Sequence, residues 1–242
     1  MLDLIAPYLA NSLVLAVLAM LFTWGVALPL GTYCAVHRNG FFDRGSSLLS
    51  FVGMSVPSYF LALLALYLTV AYVNERLGFA VLPIGGAASP NAAALSPWQR
   101  WLDRGQHLVL PVLVLSCASI AELQRITRGS LLETLRAQYV TVARAKGLPE
   151  RTVIYRYAFL NAVNPLLSIF GSRLSSLVSG AALVEIVFAY PGMGKIVLEA
   201  TLSHDLHVMM AAVLIGSVLL VFGNLLADIL LRFVDPRIDH AR

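Results

Sequence analysis

The sequence predicts an all-α protein, a polytopic bundle of transmembrane helices, and three observations carry that reading. Of its 242 residues, 59% are hydrophobic and only 12% are charged, whereas a soluble domain is about 45–50% apolar and about 25% charged. So little charge does not cover a water-exposed surface of this size, and the excess apolar side chains face lipid. The second observation is length: five apolar stretches match the roughly 20 helical residues that cross a bilayer. The third is charge placement. The formal net charge is +4, but the basic residues fall between the apolar runs. That is a topology signal rather than a stripe suited to nucleic acid.

The five spans run Leu9–Val36, Leu48–Val73, Leu108–Ile126, Ala162–Phe188 and Val208–Phe233. Pro29 and Pro57 lie inside the first two and predict kinks, which a membrane helix tolerates when neighbours satisfy the freed carbonyl. Cys34 and Cys117 also lie within apolar runs and predict small buried thiols. Their spacing fits no zinc site. Between the spans, His37–Ser47 carries Arg38 and Arg44 against Asp43, and Leu123–Asn161 carries seven basic residues against Glu133 and Glu150. The tail adds Arg237 and Arg242. Asn74–His107 is mixed, and Ala189–His207 holds Lys195 with Glu199 and Asp205. The positive-inside rule makes the first set cytoplasmic and places Trp98 and Trp101 at the outer interface. The N-terminus is then outside and the C-terminus cytoplasmic. Met1–Pro7 lacks the positive region of a signal peptide, so five spans with an outside N-terminus imply either insertion with the N-terminus out or a further span upstream.

The connection from Leu123 to Asn161 is the most informative segment. Leu131, Leu135, Tyr139 and Val142 recur at helical spacing as a narrow apolar stripe. Gly147 offers a left-handed stop, and Pro149 with Glu150 suits the first turn of a new helix. The pattern predicts helix, tight turn, helix. By its residues alone this element either docks on a partner or rests on anionic headgroups.

Within this connection, Tyr139-Val-Thr-Val-Ala-Arg-Ala-Lys-Gly147 followed by Asn161-Ala-Val-Asn-Pro165 resembles the cytoplasmic signature loop of binding-protein-dependent ABC importer permeases. The form Ala143-Arg144-Ala145-Lys146-Gly147 is similar to that of the dipeptide/oligopeptide/nickel branch. Ser55-Val-Pro-Ser-Tyr-Phe60, Val184-Glu-Ile-Val-Phe-Ala-Tyr-Pro-Gly-Met-Gly194 and Asp235-Pro-Arg-Ile238 resemble further branch patterns in the same order. Thr141 and Val142 depart from the glutamate and alanine that often open the family loop. The resemblance implies a permease domain spanning residues 1–242, with a cytoplasmic coupling loop at about 127–161. It implies that Ala143, Arg144, Ala145, Lys146, Gly147 and Leu148 form the contact with the ATPase. Gly147 would supply the turn, while Arg144 and Lys146 would meet acidic groups. The implied partners are a homologous second permease subunit, two ATP-binding cassette ATPase subunits and an extracytoplasmic substrate-binding protein. The implied cofactors, ATP and magnesium, belong to the ATPases and not to this chain. Branch members usually carry one more N-terminal span and a larger external segment, so the resemblance favours a further span upstream. Peptides, nickel chelates and glutathione all fit the branch as substrates.

Other constellations are read more locally. Ser168, Ser172, Ser176 and Gly180 recur every four residues as one small face, suited to ordinary close packing or to a subunit interface or pathway lining. Arg173 borders that face in mid-span, where a charge needs a partner or water. Glu185 and Asp228 lie near span ends, within reach of interfacial water. Glu122 and Arg125, three apart, predict a local pair. Pro191, Gly192 and Gly194 with Lys195 mimic a nucleotide loop, but Ala189 and Ile196 break the pattern, leaving a tight external turn. No metalloprotease motif or nucleophile elbow is present, so the chain borrows its energy source. The rival readings are a secondary transporter or channel subunit, or a membrane scaffold. A secondary transporter would show inverted repeats with broken helices or intramembrane acid chains, and the sequence shows neither.

Overall fold

Apolar runs in lipid satisfy their backbone only by coiling on themselves, and the described apolar runs are helical. The computed structural model describes residues 2–75, 82–170 and 181–234. Helix α1 spans Leu2–Val36 and passes through Pro29 without a break. A turn with Asn39 in the left-handed region leads to α2, Phe41–Ser55. Val56 and Pro57 then interrupt the helix. A residue before proline is pushed out of helical space, and Pro57 itself is extended at φ −61°, ψ 141°. Helix α3 restarts at Ser58–Leu68 and runs into a π-helical turn, Thr69–Asn74. The second predicted run is therefore two helices rather than one kinked span.

Helix α4, Pro97–Thr134, is continuous through Pro111. Helix α5, Gln138–Ala145, follows. The short helices Glu150–Thr152 and Leu160–Ala162 then flank a π-helical stretch, Val153–Phe159. Helices α6, Ala182–Val187, α7, Met193–Leu202, and α8, Leu206–Val234, complete the described chain. Among the described residues, α1, α4 and α8 are long and apolar enough to cross a membrane, and the broken α2/α3 pair makes a fourth candidate. The predicted span Ala162–Phe188 passes through 171–180, outside the described residues.

The chain divides into two compact units. One comprises Met1–Phe22, Val56–Ala118 and Ser176–Ser217. The other comprises Thr23–Ser55, Ser119–Ser175 and Val218–Arg242. Every connection that charge assigns to the outside falls in the first unit, and every connection assigned to the cytoplasm falls in the second. The first unit is cored by Leu15, Ala19, Ala62, Leu110, Val184 and Phe188, with a second cluster around Ile5, Met193, Ile196 and Val208. The second unit packs Ala35, Leu131, Val140, Val153 and Ala158 in one cluster, and Ala27, Leu123, Val163 and Leu166 in another. Small residues allow close helix approach. At Gly31 of α1 an added Cβ would stand 2.7 Å from Thr127 Cβ of α4. The outward faces are apolar, with Met210, Val213, Leu214 and Val221 exposed along α8, as lipid requires and water does not tolerate.

Candidate functional site

Helix α4 does not stop at the predicted boundary near Ile126 but continues to Thr134. A tight turn follows, in which Arg136 and Ala137 donate to the carbonyls of Glu133 and Thr134. This turn breaks the helical register, so residues before and after it no longer share a face. Leu131 is buried within α4, whereas Tyr139 and Val142 of α5 are 45% and 52% exposed. The predicted single stripe of Leu131, Leu135, Tyr139 and Val142 does not exist. The inward face of α5 is Val140 and Ala143, packed with Leu131, Val153 and Ala158.

Helix α5 ends as the sequence predicts. Gly147 sits at φ +74° and its N–H donates to the Arg144 carbonyl at 2.9 Å. A Cβ there would meet nothing within 4 Å, so glycine serves the backbone alone. Pro149 is extended and caps the next helix from just outside it, one position earlier than expected, with Glu150 in the first turn. Across this turn Arg144 clamps Glu150 with both sides of its guanidinium: Nη2 to Oε1 at 2.7 Å and Nε to Oε2 at 3.2 Å. The pair holds the Glu150 carboxyl below its ordinary pKa. Arg144 thus closes on its own loop at the surface, where Ala145 and Lys146 are also exposed and Leu148 is half-buried. Beside them lies a concavity of about 550 Å³ lined by Tyr139, Val142, Lys146, Leu148, Arg156 and Tyr157.

The base of this element is fixed by side chains the sequence did not single out. Asp43 is buried and takes Arg128 in two hydrogen bonds, one of 2.8 Å from Nη2 to Oδ2, plus the Asn39 N–H at 2.9 Å. The Arg128 guanidinium holds the Asp43 carboxyl below its usual range. One turn earlier, Gln124 accepts from Ser50 and donates to Ser46. Ser130 reaches the Ala162 carbonyl at 2.8 Å. Arg125 lies over the ring of Phe51, 6.0 Å from its centroid. Cys34 is buried as expected; Cys117 is exposed, since its position on α4 turns away from the packed face.

The segment with Pro191, Gly192 and Gly194 is a turn that opens α7, consistent with the reading as a loop rather than a phosphate cradle. It is held by Glu185, and here the structure corrects the sequence reading. Glu185 does not reach interfacial water; it is 0% exposed. Ser12 Oγ donates to one carboxylate oxygen and the Gly194 N–H donates to the other at 2.7 Å. Ser12 Oγ in turn accepts the Met193 N–H at 2.7 Å, and Asn11 donates to the Pro191 carbonyl at 2.8 Å. A Cβ on Gly192 would fall onto the Glu185 carboxylate, and one on Gly194 would stand 2.7 Å from Ala182 Cβ. The one available signal was the acid itself, inside an apolar run. Further anchors hold the 82–96 segment: Asp103 of α4 accepts the N–H and hydroxyl of Ser89, and the Gly86 N–H donates to the carbonyl of Phe188, at the end of α6, at 2.9 Å.

Of the small face, Ser168 is described, with its hydroxyl on the Asn164 carbonyl at 3.1 Å. Ser172, Arg173, Ser176 and Gly180 lie outside the described residues, as does Asp235–Ile238. Among the described residues no group of His, Cys, Asp and Glu is arranged to hold a metal.

The helical fold of the described residues is shared with a solved ABC transporter chain. It matches a chain of the methionine ABC transporter MetNI in an inward-facing form with TM-score 0.72, covering 97% of this chain and 98% of that one at 18% identity. The family described as the inner membrane component of binding-protein-dependent transport systems matches residues 27–240, and the chain belongs to it. Its relatives include the oligopeptide transport system permease protein AppB of Bacillus subtilis, 34% identical over 98% of this chain and 72% of that protein. The dipeptide transport system permease protein DppB of Escherichia coli K12 is 32% identical over 98% and 73%. The di/tripeptide permease DppB of Pseudomonas aeruginosa is 34% identical over 96% and 71%.

Proposed function

We propose that this chain is a multi-pass inner-membrane permease subunit of a peptide-type ABC importer. It works as one permease domain, with residues of about 127–161 forming its cytoplasmic coupling loop. ATP and magnesium act on two separate ATPase subunits, a homologous permease completes the pathway, and an extracytoplasmic binding protein delivers substrate. Ala143 to Leu148 form the coupling surface. Within it Arg144 sets the shape of the turn, while Lys146 and the outward Tyr139 and Val142 meet the ATPase. Ser168, with Ser172, Arg173, Ser176 and Gly180, belongs to the pathway or subunit interface, and Pro191, Gly192 and Gly194 to the external turn. Peptide chemistry is inferred from the oligopeptide and dipeptide relatives.

The observation that carries this reading is the left-handed Gly147 between α5 and the next helix, with apolar side chains displayed beside it. A Cβ at Gly147 touches nothing, so its cost is backbone strain alone, about 1 kcal/mol or more. The spans do not depend on it. Gly147→Val is expected to insert at normal abundance and to lose ATPase subunits in a mild-detergent pull-down, or to keep them without substrate-stimulated hydrolysis in proteoliposomes. Full assembly with wild-type stimulation would remove the coupling assignment.

A further inference from the structure

The second unit has a groove of about 930 Å³ between the C-terminal half of α1 and the π-helical stretch Val153–Phe159. Its wall is apolar: Val26, Leu28, Pro29 and Leu30 on one side, Ile154 and Phe159 on the other. Gly25 lies at its inner end, and a Cβ there would meet nothing within 4 Å. Its mouth is different. Arg151 lines it, and makes no hydrogen bond or ion pair among the described residues, whereas Arg128 and Arg144 are both held by carboxylates. Tyr33 stacks on His37 at 4.3 Å and meets Phe42 edge-on at 5.2 Å, and Tyr155 stands exposed opposite.

We infer that this groove is a binding site for an anionic phospholipid of the cytoplasmic leaflet, one acyl chain lying along α1 and its phosphate at Arg151. Three features select that occupant. From Gly25 to His37, at 1.5 Å per residue, the groove runs about 18 Å, close to the about 15 Å depth of one leaflet of a 30 Å core. Polarity changes once along this length, from an apolar body to a mouth with a guanidinium, an imidazole and two phenols, as in a lipid. Tyrosine rings at the mouth suit headgroup depth, and an unpaired arginine on the basic side of a bundle attracts anionic headgroups. A partner helix seated here would bury Arg151 with no counter-charge from this chain. The π-helical turn supplies the groove's second wall, and such turns often mark functional positions. The inference rests on the cytoplasmic placement of this unit, but lipid occupancy is read without transport or ATP hydrolysis, so the two fail separately.

The test uses the assembled transporter in nanodiscs of phosphatidylcholine doped with phosphatidylglycerol carrying a photoreactive acyl chain. The label is expected on residues 25–37 and 153–159. Arg151→Gln should lower labelling about fivefold, the factor for one basic contact with an anionic surface, and Arg151→Lys should restore it. Gly25→Leu should block the groove with the headgroup site intact, which keeps the test decisive if Arg151→Gln assembles poorly. Excess inorganic phosphate should not compete. Equal labelling by a phosphatidylcholine probe, unchanged labelling of both variants, competition by phosphate, or a cross-link from a cysteine at Tyr155 to the second permease would each overturn the assignment.

Discussion

Two glycines show how differently one residue type is used. Gly147 is needed for its positive φ and has free space around it. Gly192, at φ −109°, has an ordinary backbone and is needed because the Glu185 carboxylate occupies the place of its Cβ. Glu185 is satisfied by neutral donors on both oxygens, and losing an acceptor for a buried N–H costs about 1–3 kcal/mol. Glu185→Gln should therefore lower the melting temperature in detergent, because its amide nitrogen faces a donor. Gly192→Ala should do the same by displacing the carboxylate. The double variant Glu185→Ala with Gly192→Ala should cost far less than the sum, since the collision is gone. Additive losses would show that Gly192 does not rest on Glu185.

At the scale of elements, the Gly147 turn follows α4, and α4 is tied to the first turn of α2 by Asp43 and Arg128. Asp43→Asn should cost about 2 kcal/mol, the range for a lost charged hydrogen bond. It should also speed hydrogen exchange of the Asn39 amide, which Asp43 accepts directly. The pH sign follows from the depressed Asp43 pKa. Its contribution is complete above the ordinary carboxylate value of about 3.9 and disappears as pH falls through the lower folded value. Protection of Asn39 should be flat near neutral pH in the wild type; slow exchange in Asp43→Asn at pH 7 would remove this tie. Some of this was legible beforehand. Periodicity and punctuation located α5, the Gly147 turn and the helix after Pro149, because those signals are local. The inward face of α5 was not legible, since a three-residue turn reset the register. Nor was the break at Val56–Pro57, because kinked and broken prolines look alike in sequence. Glu185 was misread for the same kind of reason: its donor Ser12 lies 173 residues away.

For the whole molecule, loop charge and three-dimensional contact partition the chain alike, although they are independent measures. Trp98 and Trp101 are exposed in the first unit, the one that charge assigns to the outside, where indoles anchor at an interface. In a background with Cys34 and Cys117 replaced by alanine, cysteines at Ala93 and Ser203 should react with an impermeant maleimide in intact cells. One at Gln138 should react only after permeabilisation. Ser89 is a poor reporter because Asp103 holds it. Labelling at Gln138 from outside would reverse the orientation and with it the coupling role of α5.

The clasp between Ser12, Glu185 and Gly194 also sets a timetable for biogenesis. Its parts leave the ribosome in the order hydroxyl, carboxyl, amide, with a separation of 173 residues between the first and second. Closing so long a loop is entropically slow relative to local helix formation. A carboxyl group delivered into the bilayer is costly until its donors are found. Ser12 must therefore already wait in an inserted α1 when Glu185 arrives, and the bond to Gly194 follows within a few residues of synthesis.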